Sequence, residues 1–259
     1  MNWPGGTFFA PEQLVDDQGR NIIWGWVLER KPELLQWIPL WQEEGENPKV
    51  FPSEGWSGIM SLPRVLSLSE EGEVLINPPQ EVMALRLSGS EENNISLDPN
   101  SEKELAIQGN SLEIEVEMNG GASPYGVKVF SSPDGTEETV IKYDPATKEL
   151  VIDFAKSAAS GNGQVKMLPN TMYEPQLEGF TEDVSEQRAP FELKEGENLK
   201  LDIFIDKSII EVFVNGRQCV TQVAYPELPE SNRVKLFSGD DAVNVLSVRA
   251  WKMAATNMY

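Results

Sequence analysis

Residues 199–216 read LKLDIFIDKSIIEVFVNG, and this stretch decides the fold class. Its apolar residues recur at every second position, the period of a β-strand with one packed face, at Leu199, Leu201, Ile203 and Ile205. A tight turn is predicted at residues 206–208, where Asp206 and Ser208 supply the turn chemistry. The second apolar run then ends at Asn215-Gly216, a dipeptide typical of β-hairpins. The stretch therefore predicts consecutive antiparallel strands.

The same period recurs on both sides of this stretch. Within residues 112–118, apolar residues alternate with Glu113, Glu115 and Glu117, which predicts one packed face and one face in water. A hairpin is predicted for residues 140–154, and strands are predicted for residues 234–237 and 243–251. Such spacing is typical of an antiparallel β-sandwich of roughly 170 residues. Breakers over residues 155–190 predict a long irregular loop.

The first 80 residues also consist of short strands. A hairpin is predicted there, with one strand at Leu14-Val15, a turn at residues 16–19 and a second strand at residues 21–26. A loop with four prolines follows over residues 27–54, and strand segments surround Pro63-Arg64. Pro78-Pro79 precedes good helix formers and predicts one or two helical turns. We place the domain boundary there, between residues 1–80 and residues 81–259.

Composition excludes several classes of function. The chain has 42 acidic and 21 basic residues and a formal charge of −21, a field that repels nucleic acid and anionic membranes. It has no histidine, which excludes Ser-His-Asp catalysis and the usual zinc sites and leaves carboxylates for acid-base chemistry. Because no segment has the pattern of a calcium loop, we predict no metal and no cofactor. Cys219 lies in an apolar stretch, which favours a buried side chain over a reactive thiol.

No apolar stretch approaches the ~18 to 20 residues that span a bilayer, so no membrane span is predicted. The start, MNWPGGTFF, lacks the features of a signal peptide. A cytoplasmic and a secreted parent protein both stay open.

Four blocks carry a family resemblance: GTFFAP at residues 6–11, GRNIIWGW at 19–26, GWSGIMSLPR at 55–64 and IDKSIIEVF at 205–213. In this order they resemble glycoside hydrolase family 32, the invertases, levanases and inulinases. The resemblance implies an all-β fold in which the last blade of a five-bladed β-propeller occupies residues 1–80. A linker and a carboxy-terminal β-sandwich then occupy residues 81–259.

The resemblance also implies retaining hydrolysis of sucrose or fructans in the full enzyme. Retaining glycosidases need two carboxyl groups about 5 to 5.5 Å apart. The family carries its nucleophile, its stabilising aspartate and its acid-base glutamate in Trp-Met-Asn-Asp-Pro-Asn, Arg-Asp-Pro and Glu-Cys motifs, and none of them occurs in this chain. We therefore predict no catalytic residue here and expect the isolated chain to be inactive.

Three residues match family positions that line the fructose-binding subsite: Phe9, Trp26 and Glu29. Aromatic rings can stack on the apolar C–H face of a sugar, and a glutamate can accept hydrogen bonds from its hydroxyls. Trp26 can equally be a core residue, since Trp24 shares its strand parity, and Glu29 can be an ordinary loop acid. We interpret Trp56 and Arg64 as structural, and the block at residues 205–213 as packing and domain contact.

Two main hypotheses follow, with a fructose-containing oligo- or polysaccharide as the expected partner. In the first, the chain is a fragment of a hydrolase that is inert alone. In the second, it is a non-catalytic fructan-binding or assembly module that pairs with a separate propeller chain or a second copy, which would cover sheet edges and an apolar face left open by a single blade. An enzyme with its own carboxylate pair, near Asp16, Asp17 or Glu29, is a third possibility.

Overall fold

The computed structural model describes residues 8–27, 58–161, 165–166 and 183–256. In these ranges the secondary structure is nineteen β-strands and one short 3₁₀ helix of residues Gln80–Leu85. The strands are β1 Phe8–Val15, β2 Asn21–Val27, β3 Ile59–Met60, β4 Arg64–Leu68, β5 Val74–Asn77, β6 Arg86–Leu97, β7 Glu102–Gln108, β8 Ser111–Asn119, β9 Tyr125–Ser131, β10 Thr139–Asp144, β11 Glu149–Asp153, β12 Val165–Lys166, β13 Asp183–Val184, β14 Glu186–Pro190, β15 Leu199–Asp206, β16 Ile209–Val214, β17 Gln218–Val223, β18 Arg233–Ser238 and β19 Val243–Met253.

The strands form one five-stranded sheet and a sandwich of two six-stranded sheets. The five-stranded sheet has the order β1-β2-β4-β5, with β3 beside β2, and a path of four strands is typical of a propeller blade. The first sandwich sheet has the order β17-β16-β15-β8-β19-β6, and the second has the order β14-β11-β10-β9-β18-β7. Strands β12 and β13 pair separately. The predicted all-β fold, a terminal propeller blade followed by a sandwich, is confirmed.

The sandwich core lies between the two six-stranded sheets. Ile114 on β8 and Ile203 on β15 are directly paired and fully buried. Val127 and Ile141, paired on β9 and β10, are fully buried in the opposite sheet. These side chains belong to one continuous apolar cluster, so the two-residue period reports the packed faces correctly.

The predicted hairpin turns are also confirmed. Strand β1 pairs with β2 around residues 16–19, where Asp16 accepts hydrogen bonds from the backbone N–H groups of Gln18 and Arg20. Between β16 and β17, Asn215 and Gly216 have φ of 47° and 64°, the left-handed conformation that their residue types tolerate best. The predicted helical turns after Pro78-Pro79 are the 3₁₀ helix.

Two predictions about the sandwich were wrong in part. Residues 155–190 are not a continuous loop, because β14 at their end pairs with β11 at the edge of the second sheet. Pro190 ends that strand, a position that proline tolerates at a sheet edge. The face of β8 that carries the three glutamates meets water only in part, since Glu113 is 0% exposed while Glu115 and Glu117 are partly exposed. Most of the predicted loop over residues 27–54 lies outside the described residues.

The five-stranded sheet packs one face against the first sandwich sheet. Ile76 from β5 and Val82 from the 3₁₀ helix join Phe204, Phe213 and Cys219 in a second apolar cluster. Arg20 ties the first hairpin to the 3₁₀ helix, with Nη2 2.8 Å from Oε1 of Glu81. The opposite face of the sheet points away from the sandwich. Among the described residues, no helix is long and apolar enough to cross a membrane.

Candidate functional site

Phe9 and Trp26 lie side by side on neighbouring strands, on the face directed away from the sandwich. The two residues are paired across β1 and β2, and their ring centroids are 6.3 Å apart in an edge-to-face arrangement. Phe9 is 41% exposed, and Trp26 is half-buried. Edge-to-face packing fixes the orientation of both rings and leaves aromatic surface accessible to a ligand.

A glycine on the neighbouring segment makes room for the Trp26 indole. Gly58 has φ of +69°, and a Cβ placed on it would lie 2.1 Å from Nε1 of Trp26 and 2.6 Å from the carbonyl oxygen of Val27. No real Cβ atom tolerates such a distance, so only glycine fits here. Met60 on β3 is paired with Trp26 from the same side and is half exposed. The position of Trp26 is therefore built by both flanking strands.

Glu29 and Trp56 lie outside the described residues. Trp24 is half-buried on the same face of β2 as Trp26 and faces Glu12 on β1. The structure thus brings together two of the three predicted sugar contacts, and their role in binding stays a prediction.

A buried ion pair joins the five-stranded sheet to the sandwich. Nη2 of Arg64 on β4 lies 3.1 Å from Oε2 of Glu211 on β16, and both side chains are 3% exposed. The same carboxylate accepts hydrogen bonds from the Thr221 hydroxyl, at 2.9 Å, and from the backbone N–H of Leu62. Cζ of Arg64 also lies 4.1 Å from the centre of the Phe8 ring. The interpretation of Arg64 as structural and of the 205–213 block as domain contact is confirmed by these contacts.

The first sandwich sheet carries a second charged network, on the face that packs against the five-stranded sheet. Nε of Arg86 on β6 is 2.6 Å from Oε2 of Glu113, and Nη2 of Arg86 also contacts Glu115. Arg249 pairs with the other oxygen of Glu115. The guanidinium of Arg86 stacks on Trp251, with Cζ 3.7 Å from the ring centre. Arg86 and the strand neighbour Trp251 together cover Glu113, which explains why this carboxylate is buried.

Asp202 on β15 lies against the same network. It is paired with Glu115 across the strands, and one carboxylate oxygen each of Asp202, Glu113 and Glu115 lies within 4.8 Å of the other two. Burial, followed by repulsion from Glu113 and Glu115, raises the pKa of Asp202 to about 8. The side chain is therefore mostly neutral at pH 7.

The geometry of this network decides what it can do chemically. Three clustered carboxylates resemble a metal-ligand set, but Arg86 and Arg249 already occupy oxygens of Glu113 and Glu115. An acid of raised pKa beside an ionised carboxylate also resembles a glycosidase pair. Glu115, however, is engaged by both guanidinium groups and is poorly placed to act as a nucleophile. The arrangement is better suited to holding sheets together.

Sequence reasoning missed Asp202, Glu113 and the ion-pair role of Glu211. A signal existed for Glu211, since the other residues of its run IIEVFV are all apolar, a pattern typical of a strand that is buried on both faces. In the structure every residue of this strand is buried. For Asp202 no local signal existed, because an aspartate that alternates with apolar residues normally faces water. Cys219, in contrast, is fully buried as predicted, and burial raises the pKa of its thiol to about 12.

Comparison with known proteins matches both parts of the chain to one family. The family model described as "Glycosyl hydrolases family 32 N-terminal domain" matches residues 2–79. The model described as "Glycosyl hydrolases family 32 C terminal" matches residues 81–252. The two matches together account for nearly all of the chain.

Individual relatives are similar over the same extent. A β-fructofuranosidase, insoluble isoenzyme, of Arabidopsis thaliana is 25% identical over 97% of this chain and 46% of its own length. A levanase of Bacillus subtilis is 28% identical over 94% of this chain and 35% of its own length. The structure of a variant of fructan 1-exohydrolase IIa from Cichorium intybus in complex with 1-kestose superposes with a TM-score of 0.74 at 20% identity, over 97% of this chain and 48% of that one. The chain thus spans less than half the length of these relatives.

Proposed function

The chain belongs to glycosyl hydrolase family 32, and from this membership we propose that it is the carboxy-terminal portion of a β-fructofuranosidase-like enzyme acting on sucrose or fructans. In the full enzyme the reaction would be retaining hydrolysis. The names of the similar proteins, β-fructofuranosidase, levanase and fructan 1-exohydrolase, support a fructose-containing substrate.

The observation that carries this proposal is the Phe9–Trp26 pair. The two rings are adjacent, partly exposed and directed away from the sandwich. Aromatic surface of this kind can stack against the C–H face of a fructosyl unit, and a fixed edge-to-face geometry lowers the entropy lost on binding. Glu29, two residues beyond β2, completes the proposed set of sugar contacts.

We place the boundary between the two units at residues 80 and 81, with a partial propeller before it and the linker and sandwich after it. Two observations support this division. Strands β1 to β5 build a separate sheet, and the 3₁₀ helix of Gln80–Leu85 leads directly into β6 of the sandwich.

The isolated chain is proposed to be catalytically inactive. The three family motifs that carry the carboxylates are absent from its sequence. Among the described residues, the most tightly clustered carboxylates are those of Glu113, Glu115 and Asp202, and arginines neutralise two of them. Hydrolysis of a fructoside needs one free nucleophilic carboxylate and one protonated acid across the bond.

Fructose release from sucrose, inulin and levan by the purified chain tests inactivity, and we expect no release above the buffer blank. Substrate contact is tested in a fusion that places the amino-terminal part of the B. subtilis levanase before this chain. There, Trp26→Ala should raise KM at least tenfold, whereas Ile22→Ala on the same face of β2 should change it little. Release of fructose by the unfused chain would refute inactivity. Equal KM for both variants would refute the role of Trp26.

A second candidate function is a non-catalytic fructan-binding or assembly module that pairs with a separate propeller chain or with a second copy. The exposed apolar side chains on the sheet favour it: Phe9 is 41%, Leu14 42% and Met60 50% exposed, all on the face away from the sandwich. Large apolar side chains exposed on one face of a sheet are common at sites of association.

Light scattering after size exclusion separates the two candidates. If the chain is a module, Leu14→Glu should prevent its association with the propeller chain or with itself, and calorimetry should detect fructan binding by the wild type. A monomer that binds no fructan and unfolds cooperatively would exclude the module.

A further inference from the structure

The strand ladder is irregular on both sides of Gly25, the residue before Trp26. On one side Gly25 stands opposite a bulge, where two residues of β1 oppose one of β2. On the other side, the register in which β3 pairs with β2 differs by one residue from the register of β4, which places a second bulge at residues 61–63. Bulges interrupt the regular hydrogen bonding of a sheet. The backbone beneath the Phe9–Trp26 pair therefore depends on other contacts for its position.

Ser61 provides such contacts for Gly25. The backbone N–H of Ser61 donates to the carbonyl oxygen of Gly25 at 2.9 Å, and Oγ of Ser61 accepts a hydrogen bond from the Gly25 N–H at 3.1 Å. The next residue, Leu62, donates its backbone N–H to Oε1 of Glu211 on β16. One oxygen of a sandwich carboxylate thus fixes the segment that binds Gly25. We call this path the Leu62 arm.

The second oxygen of Glu211 is linked to the strand that carries Phe9. Oε2 accepts hydrogen bonds from Nη2 of Arg64, at 3.1 Å, and from the Thr221 hydroxyl, at 2.9 Å. The Arg64 guanidinium in turn lies over the ring of Phe8, with Cζ 4.1 Å from the ring centre. Phe8 directly precedes Phe9 on β1. We call this path the Arg64 arm.

The two arms meet at Gly25. A Cβ placed on Gly25 would lie 2.8 Å from the Phe8 ring, so this ring rests directly on the glycine backbone. Phe8 and Gly25 are both buried, and each directly precedes one member of the Phe9–Trp26 pair on the opposite face. Adjacent residues of a strand point to opposite faces of the sheet. Fixing Phe8 and Gly25 from the side of the sandwich therefore sets the position of both rings on the other side.

We propose that Glu211, a residue of the sandwich, is a positioning residue for the sugar site on the five-stranded sheet and acts through the Leu62 arm and the Arg64 arm. This role rests on the proposed function of the Phe9–Trp26 pair as a fructose contact. A buried carboxylate suits it, because charge-assisted hydrogen bonds are shorter and stronger than neutral ones and two oxygens can hold two segments at once. The sandwich thereby contributes to substrate affinity from the far side of the sheet.

Fluorine NMR of the full chain, labelled with 5-fluorotryptophan, tests the positioning without a sugar. The Trp26 resonance is assigned by its loss in Trp26→Phe. In Glu211→Gln one acceptor oxygen remains in place of two, so one arm is lost and the Trp26 resonance should shift or broaden. Glu137→Gln is the matched control, because Glu137 is also a buried sandwich carboxylate and accepts its hydrogen bonds from residues 159, 227, 228 and 231. There the Trp26 resonance should stay unchanged.

Thr221→Val is a second, milder variant, which decides the question if Glu211→Gln does not fold. It removes the hydroxyl that donates to Oε2 of Glu211 and accepts from Nη2 of Arg64. The Trp26 resonance should shift or broaden here as well. An unchanged Trp26 resonance in the folded variants overturns the proposal, and so does an equal change in Glu137→Gln.

Kinetics in the levanase fusion connect the positioning to the sugar. Glu211→Gln should raise KM by about three- to tenfold with little change in kcat, because it weakens ground-state and transition-state binding alike. A variant that is merely less stable lowers the amount of active enzyme, and hence the apparent kcat, at constant KM, which is the result expected for Glu137→Gln. If Trp26→Ala raises KM but folded Glu211→Gln does not, the positioning role is refuted and the sugar site stands. If Trp26→Ala itself leaves KM unchanged, the sugar site is refuted, and this role of Glu211 with it.

Discussion

Replacement of Glu211 by leucine should be among the most destabilising single changes in the described part of this chain. Among the described residues, leucine removes the only carboxylate that Arg64 contacts, and it also leaves the Leu62 N–H and the Thr221 hydroxyl without their acceptor. Because the Arg64 side chain is only 3% exposed, its guanidinium would stay buried without a counter-charge. Removing one partner of a buried pair costs about 3 to 5 kcal/mol in unfolding free energy.

The double variant Arg64→Leu/Glu211→Leu separates this penalty from simple loss of packing. Two apolar side chains can fill the site without an unpaired charge, so the double variant should recover part of the loss. A coupling free energy of about 1 to 3 kcal/mol is expected from the double-mutant cycle. Urea unfolding followed by circular dichroism measures the unfolding free energy of the wild type, the two single variants and the double variant, all at one pH and salt concentration.

A matched control comes from an exposed ion pair on the same molecule. Lys148 and Glu192 are 57% and 64% exposed, so Glu192→Leu should leave the urea midpoint almost unchanged. The reasoning about Glu211 is wrong if Glu211→Leu costs less than about 1 kcal/mol. It is equally wrong if the effects of the single changes simply add.

Three further changes probe other parts of the structure. Gly58→Ala should lower the unfolding free energy clearly more than Gly72→Ala, since both glycines have positive φ but only at Gly58 would the added Cβ clash with Trp26. The near-ultraviolet circular dichroism spectrum should change in Gly58→Ala alone. Glu137→Gln should lower the unfolding free energy by about 1 to 3 kcal/mol, because this buried carboxylate accepts hydrogen bonds from three backbone N–H groups and one serine hydroxyl. Urea unfolding measures this loss, and an unchanged midpoint would contradict it. Cys219 should resist a thiol reagent at pH 8 and react once urea unfolds the chain, since its thiol is buried and its pKa is raised to about 12. Fast labelling of Cys219 in the folded protein would contradict this.

The strands of the sandwich could be predicted from sequence because each is specified locally. A two-residue period and a turn dipeptide such as Asn215-Gly216 contain the whole signal for a hairpin. The same reasoning misplaced the environment of Glu113. Periodicity tells which side chains share a face, but it does not tell whether another layer, here Arg86 and Trp251, covers that face.

The candidate site was predictable only in part and for a similar reason. The family blocks pointed to Phe9 and Trp26, and strand pairing explains why they become neighbours. The link between Arg64 and Glu211 joins residues 147 positions apart, so no local pattern could reveal it. Asp202 escaped notice because its unusual pKa arises from four strands that meet only in the folded sheet.

The wide separation of Arg64 and Glu211 along the chain also determines the order in which the molecule can be assembled. Synthesis produces β1 to β5 before β15 to β17, which form much of the surface on which they dock. Strand β19, the last in sequence, sits between β8 and β6 and must arrive before that sheet is continuous. Strands β1 to β5 therefore leave the ribosome before the surface on which they dock has been synthesised. During that interval Ile76 and the Arg64 guanidinium lack the partners that β15 to β17 provide in the folded chain.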